Sequence, residues 1–89
     1  EGNSEYESAK SLIKDKQDYA AALPILVALT EAQPDYADAW NNLAQVLLEL
    51  GKPMDASAAI TKAVALGGPR LGAYQAMQRT IAQKILEAK

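Results

Sequence analysis

Sliding this chain along itself by 34 residues superimposes its two best-patterned stretches. Ala22 falls on Ala56, Leu26 on Ile60, Ile13 on Leu47, Tyr6 on Trp40, and Pro34 on Gly68 beside Pro69. A fixed period of this length in a sequence with helical spacing predicts a stacked helix-turn-helix array, each unit burying its apolar face on the next. Such an array is first of all a binding scaffold.

Composition narrows the chemistry. Eighty-nine residues allow one domain, 1–89, and the start at Glu1 reads as a piece of a longer protein. Net charge is −2 with both signs scattered along the chain, which argues against a nucleic-acid surface built from clustered Lys and Arg. There is no Cys and no His, so thiolate and imidazole catalysis and the usual zinc sites are excluded. No cofactor motif is present. The longest apolar run, Ala20 to Leu29, contains Pro24 and is far short of the ~20 residues that span a bilayer. Direct membrane insertion is therefore not expected.

Periodicity and turn chemistry predict five helices. The first runs from about Ser4 to Asp15, with Tyr6, Ala9, Leu12 and Ile13 on one face. The second runs from about Ala20 to Ala32 with Leu23, Leu26, Val27 and Leu29 inward and Ile25 to one side. Pro24 demands either a start close before it or a bend. Pro34 and Asp35 end this helix, and Asp35 is the expected N-cap of the third, Ala37 to Glu49. That helix carries Trp40, Leu43, Ala44, Val46, Leu47 and Leu50. Gly51 fits a left-handed helix end and Pro53 a first helical position. The fourth helix, Pro53 to Leu66, buries Ala56, Ala59, Ile60, Ala63, Val64 and Leu66. Gly67-Gly68-Pro69 stops it. The fifth, Leu71 to about Ala88, has Tyr74, Met77, Ile81 and Ile85 as its seam. Short loops make neighbouring helices antiparallel.

At Trp40, Leu43, Ala44, Leu47, Gly51, Ala56, Ile60 and Ala63 the second unit resembles a tetratricopeptide repeat (TPR). Leu47 replaces the family's Tyr, Ile60 its Phe, and the closing Pro is shifted to Pro69. In the first unit the match is weaker: Tyr6, Ile13, Ala22, Leu26 and Pro34 fit, while Ala9, Lys10 and Leu29 depart. In the third Leu71, Ala73, Tyr74 and Met77 fit. The resemblance implies an all-α, right-handed TPR-type helical stack. It consists of repeat one at about 3–36, repeat two at 37–70, and a capping helix at 71–89. A narrower resemblance lies in Asn41-Asn42-Leu43-Ala44 and Ala63-Val64-Ala65-Leu66-Gly67-Gly68-Pro69. These strings are similar to TPR tails of bacterial C39-like cysteine peptidases of the cell envelope. That likeness implies a peptidase domain upstream and an accessory role here.

The TPR resemblance implies a protein or peptide partner held in the concave groove of the first helices of each repeat. Mapped here, that face carries Ser4, Glu7, Ser8 and Ser11, then Asp38, Asn41, Asn42, Gln45 and Glu49, then Gln75, Ala76, Arg79 and Gln83. Asn and Gln suit an extended backbone because each offers a donor and an acceptor. The plainer reading of any one of these residues is a solvated polar face. The chaperone-binding subfamily grips a carboxylate with two Lys, two Asn and an Arg. At those places this chain has Glu7, Ser11, Asn42, Gly72 and Ala76, so only Asn42 matches. With Arg79 set amid Asp38 and Glu49, the expected preference is for a polar or mildly basic peptide, and an acidic tail is expected to be rejected.

Catalysis within this chain is not expected. The serines Ser4, Ser8 and Ser11 lack a His partner for a triad. Nothing suggests desolvation of Lys14 or Lys62 beside Ser11 or Ser57. Glu5 and Glu7 point to different sides of a helix. Trp40 is expected in the core and Tyr36 at the surface. Structural packing on sister copies is the alternative role. Leu12, Ile85 and Leu86 at the two ends suggest weak self-association.

Overall fold

The computed structural model describes residues 2–88. Five helices follow one another: α1 (Gly2–Lys14), α2 (Tyr19–Ala32), α3 (Ala37–Glu49), α4 (Pro53–Leu66) and α5 (Leu71–Glu87). No strand occurs among the described residues. The two ends of the expected domain 1–89, Glu1 and Lys89, lie outside them.

Each helix packs on the next in sequence, which is what short connections enforce. Beyond these neighbours α1 touches α3 and α3 touches α5, whereas α2 and α4 do not touch. The odd-numbered helices therefore form the tighter, inner row of an all-α stack.

Local chemistry sets the helix ends. Asp18 caps α2 by accepting a hydrogen bond from Ala21 N–H at 3.1 Å. Gln17 before it adopts φ +50°. Starting at Tyr19, α2 carries Pro24 inside it, beyond the first turn. Proline has no amide hydrogen to give the Ala20 carbonyl, and both residues are exposed, so the missing bond falls at the solvent-facing side of the helix. The α3 start differs from expectation. Tyr36, not Asp35, is the boundary residue, and it makes no side-chain cap. The turn draws the Tyr36 ring against Tyr6, with centroids 5.0 Å apart, and leaves Asp35 exposed. At the other end of α3 the Lys52 amide donates to Leu47 O at 2.8 Å and the Gly51 amide to Leu48 O at 3.1 Å. These two bonds form a Schellman closure, and Gly51 supplies its left-handed residue at φ +79°. Pro53 opens α4 as expected.

The core runs through all five helices. Ala9, Ala22, Ala44, Ala56 and Ala63 are fully buried and let the backbones approach closely. Leu26, Ile60, Ile81 and Val46 fill the space between. A smaller cluster of Tyr6, Leu29 and Ala39 closes one end, with Tyr36 packed against it. Three expectations need correction. Val27 and Leu66 are exposed, because the buried stripe of α2 runs Ala22, Leu26, Leu29 and Thr30, and that of α4 ends at Ala63. Trp40 is half-buried rather than central. Its indole Nε1–H donates to the Pro34 carbonyl at 2.8 Å, which holds one ring edge at the surface beside the turn. Thr30 is the buried polar residue that the pattern missed. Its hydroxyl donates to the Leu26 carbonyl at 3.0 Å, so this hydroxyl is not left unsatisfied.

Candidate functional site

Tyr6, Lys10, Ile13 and Lys14 recur four, three and one residues apart along α1. That spacing puts them on one helical face, and the face is turned toward α3. Opposite them α3 presents Asn42 and Gln45. Arg70, the last residue before α5, closes the top. Together they line a recess of about 260 Å³ on the inner row. Its floor is apolar, since Tyr6 and Ile13 are buried, while Asn42 and Gln45 stand half-buried in its wall. The Lys10 ammonium lies over the Tyr6 ring, 5.2 Å from the centroid, a cation–π arrangement that orients the lysine.

A polar knot borders this recess. Tyr74 donates its hydroxyl to Asp38 Oδ1 at 2.5 Å. Arg70 Nε reaches Asp38 Oδ2 at the longer distance of 3.9 Å. Burial pushes the Tyr74 hydroxyl far above the usual tyrosine range, and the hydrogen bond to Asp38 adds to it. Burial also raises the Tyr6 hydroxyl, with the Asp38 charge adding to the effect and the Asn42 side chain opposing it. Tyr36 is raised by burial first and by Asp38 and Glu7 next. All three phenols are therefore neutral near pH 7 and remain hydrogen-bond donors.

The structure divides the expected partner-binding residues. Asn42 and Gln45 share the recess. Asp38 is engaged by Tyr74 and Arg70. Asn41 is half-buried, and its Oδ1 has no hydrogen-bond partner among the described residues. Glu49 sits at the far end of α3, in a separate hollow of about 310 Å³ with Leu48, Gly51, Pro53 and Lys84. Gln75, Arg79 and Gln83 are exposed on α5 and do not line the recess. Gln83 Nε2 is 3.4 Å from Glu87 Oε2. On α1 the residues Ser4, Glu7, Ser8 and Ser11 are exposed, and the recess is built instead from the face one step around. Lys10, Lys14 and Arg70 are thus site residues that the sequence reading did not single out. The signal was present, because Lys10 and Lys14 are interleaved with the core residues Tyr6 and Ile13.

A larger hollow of about 480 Å³ lies between α1 and α2, lined by Glu5, Pro24, Ile25, Ala28 and Ala32. With one carboxylate and otherwise apolar walls it offers little chemistry. No described helix is long and apolar enough to cross a membrane.

Residues 6–70, well over half of the chain, match the family model of the tetratricopeptide repeat. Comparisons with curated proteins and with solved structures give no match. The family match carries the repeat architecture and does not extend to the narrower peptidase-tail resemblance.

Proposed function

The chain belongs to the tetratricopeptide repeat family, and from that premise we propose that it is a protein-interaction module whose inner row binds an extended segment of a partner. Repeats of this family generally mediate protein–protein contacts and are generally non-catalytic. The observation that carries the reading is the recess between α1 and α3. There the half-buried amides of Asn42 and Gln45 stand against the cationic face of α1. Amides in such a wall can meet both the N–H and the C=O of a passing backbone. The outer rims of the groove in this proposal are Asp38, Asn41, Glu49, Gln75, Arg79 and Gln83.

Selection of peptides displayed as a library, followed by competition with an Asn42→Ala, Gln45→Ala variant, tests the reading. The selected peptides should lose at least tenfold in affinity for the variant while light scattering reports an unchanged molecular mass. Full retention of affinity would exclude this recess as the binding surface. Of the end residues on which weak self-association rests, Leu86 is exposed while Leu12 and Ile85 are half-buried against the core, which gives that second reading less support than the recess gives the first.

A further inference from the structure

We infer that the recess between α1 and α3 seats an acidic side chain, so that the segment bound there carries Asp or Glu opposite Asn42 and Gln45. The inference rests on the proposed function and names the partner chemistry that it requires. Its first ground is charge. Three cations, Lys10, Lys14 and Arg70, line the recess and no carboxylate does, although the chain as a whole carries −2. The acid beside it, Asp38, accepts from Tyr74 at 2.5 Å. Its contact with Arg70 is long and made by an exposed guanidinium, and such pairs hold weakly. Among the described residues Lys10 and Lys14 form no ion pair.

The second ground is the wall. Tyr6 and Ile13 are each 8% exposed, and a charge beside apolar surface is less screened than one in open water. The Asn42 and Gln45 amides supply N–H donors for carboxylate oxygens, and charge-assisted bonds of that kind are the strong ones. The third ground is size. About 260 Å³ is at the small end of ligand sites, which start at roughly 300 Å³. It suits a side chain projecting from a segment laid across the surface.

The cations do not come from the positions that hold a carboxylate in the chaperone-binding subfamily, which are here Glu7, Ser11, Gly72 and Ala76. They come from another face of α1 and from the turn before α5. The preference for a polar or mildly basic peptide, inferred from Asp38 and Glu49 around Arg79, is thereby reversed. Asp38 keeps its charge but stands outside the lining of the recess, and Glu49 lies in a different hollow.

The test is an NMR titration of the whole chain at low salt, following the side-chain amides of Asn42 and Gln45. Three short acetylated and amidated peptides serve as probes: one of alternating Ser and Glu, and two with Glu replaced by Gln or by Lys. The Glu peptide should shift both amides, with the Gln peptide at least tenfold weaker and the Lys peptide inert. The Lys10→Gln, Lys14→Gln variant should weaken the Glu peptide about tenfold, and Lys16→Gln, outside the recess, should leave it unchanged. Equal binding of the Gln or Lys peptide at these amides would overturn the acidic preference while leaving the groove reading intact. No response to any probe would also overturn it, and the library selection would then decide the groove reading separately. Binding that needs a free C-terminal carboxylate would overturn the side-chain assignment. Displacement of the Glu peptide by a lower concentration of single-stranded oligonucleotide would replace the protein partner by a nucleic acid.

Discussion

Tyr74 on α5 donates its hydroxyl to Asp38 on α3 at 2.5 Å, a bond between residues 36 apart in sequence. It ties the last helix to the inner row at the level of the recess. The phenol ring is 3% exposed, so the bond is made at the edge of the core. Arg70, whose own contact with Asp38 is loose, leaves that role to Tyr74.

Replacing Tyr74 by Phe should therefore cost stability while preserving the packing of the ring. A hydrogen bond to a charged group contributes about 1.5–3 kcal/mol, and partial solvation of Asp38 puts this one at the lower end. In a chain of this size that loss should lower the melting temperature by roughly 6–12 °C. Calorimetry of Tyr74→Phe checks it. An unchanged melting temperature would mean that Asp38 gains as much from water and Arg70.

The same phenol predicts an alkaline weakness. Burial, together with the Asp38 bond for Tyr74, holds the protons of Tyr74, Tyr6 and Tyr36 more tightly in the folded chain than in the unfolded one. A group of this kind contributes its stability in full below the unfolded tyrosine pKa of about 10. The contribution is lost as pH rises from there through the folded value. Urea midpoints should hold between about pH 7 and 9 and fall above about pH 10. The fall should be shallower in Tyr74→Phe. A decline of equal slope in both proteins would remove Tyr74 from the explanation.

The fold was legible because the repeat leaves the same small residues at the same places. Ala22 and Ala56 are both fully buried, as are Leu26 and Ile60, and each pair is one period apart. Turn chemistry was equally readable at Gly51 and Pro53. Less was legible at the margins. Val27 and Leu66 are as apolar as their buried neighbours, and only the direction in which α2 and α4 face decides that they are exposed. At the recess, Asn42 and Gln45 were visible as polar residues on the inner row. Lys10 and Lys14 were legible only as neighbours of the core residues Tyr6 and Ile13, because their place in the recess depends on how closely α1 approaches α3. A single-sequence pattern contains no term for that distance.

Close approach of α4 to its neighbours makes a sharper test of packing. Ala63 is fully buried, while Ala58 on the same helix is exposed. Leucine has the higher side-chain volume and a helix propensity close to that of alanine. Ala63→Leu should destabilise by about 1–3 kcal/mol through overpacking, whereas Ala58→Leu should change stability by no more than ~0.5 kcal/mol. Urea denaturation of the pair separates the two. Equal effects would show that α4 has room to move away from its neighbours.

Trp40 offers a fluorescent reporter of the turn between α2 and α3. Its indole N–H bonds to the Pro34 carbonyl, and Lys62 lies 5.8 Å from the ring centroid. Trp40→Phe should keep much of the apolar contact and lose the hydrogen bond, at a cost of about 1 kcal/mol. Trp40→Ala should cost about 3 kcal/mol, the low end for a large aromatic, because the ring is only half-buried. Equal losses in the two variants would assign the whole effect to the hydrogen bond.

Pro24 is the clearest point at which the chain departs from its own helical design. It lies inside α2, where proline withholds an amide from the carbonyl four residues earlier, here that of Ala20, and its ring crowds that turn. The rest of the helix tolerates this because Asp18 caps the start and Ala22, Leu26 and Leu29 anchor the inner side. Pro24 itself is exposed, so its removal takes little from the core. Pro24→Ala should therefore stabilise the protein, by up to ~3 kcal/mol from helix propensity. Some of that gain is offset by the greater freedom of the unfolded chain. Equilibrium denaturation should show a higher midpoint at an unchanged slope. Hydrogen exchange should show protection at the backbone amide that the substitution introduces. A lower midpoint would mean that the proline ring packs productively against Ile25 and Ala28 in the hollow they share, and that this contact outweighs the missing hydrogen bond.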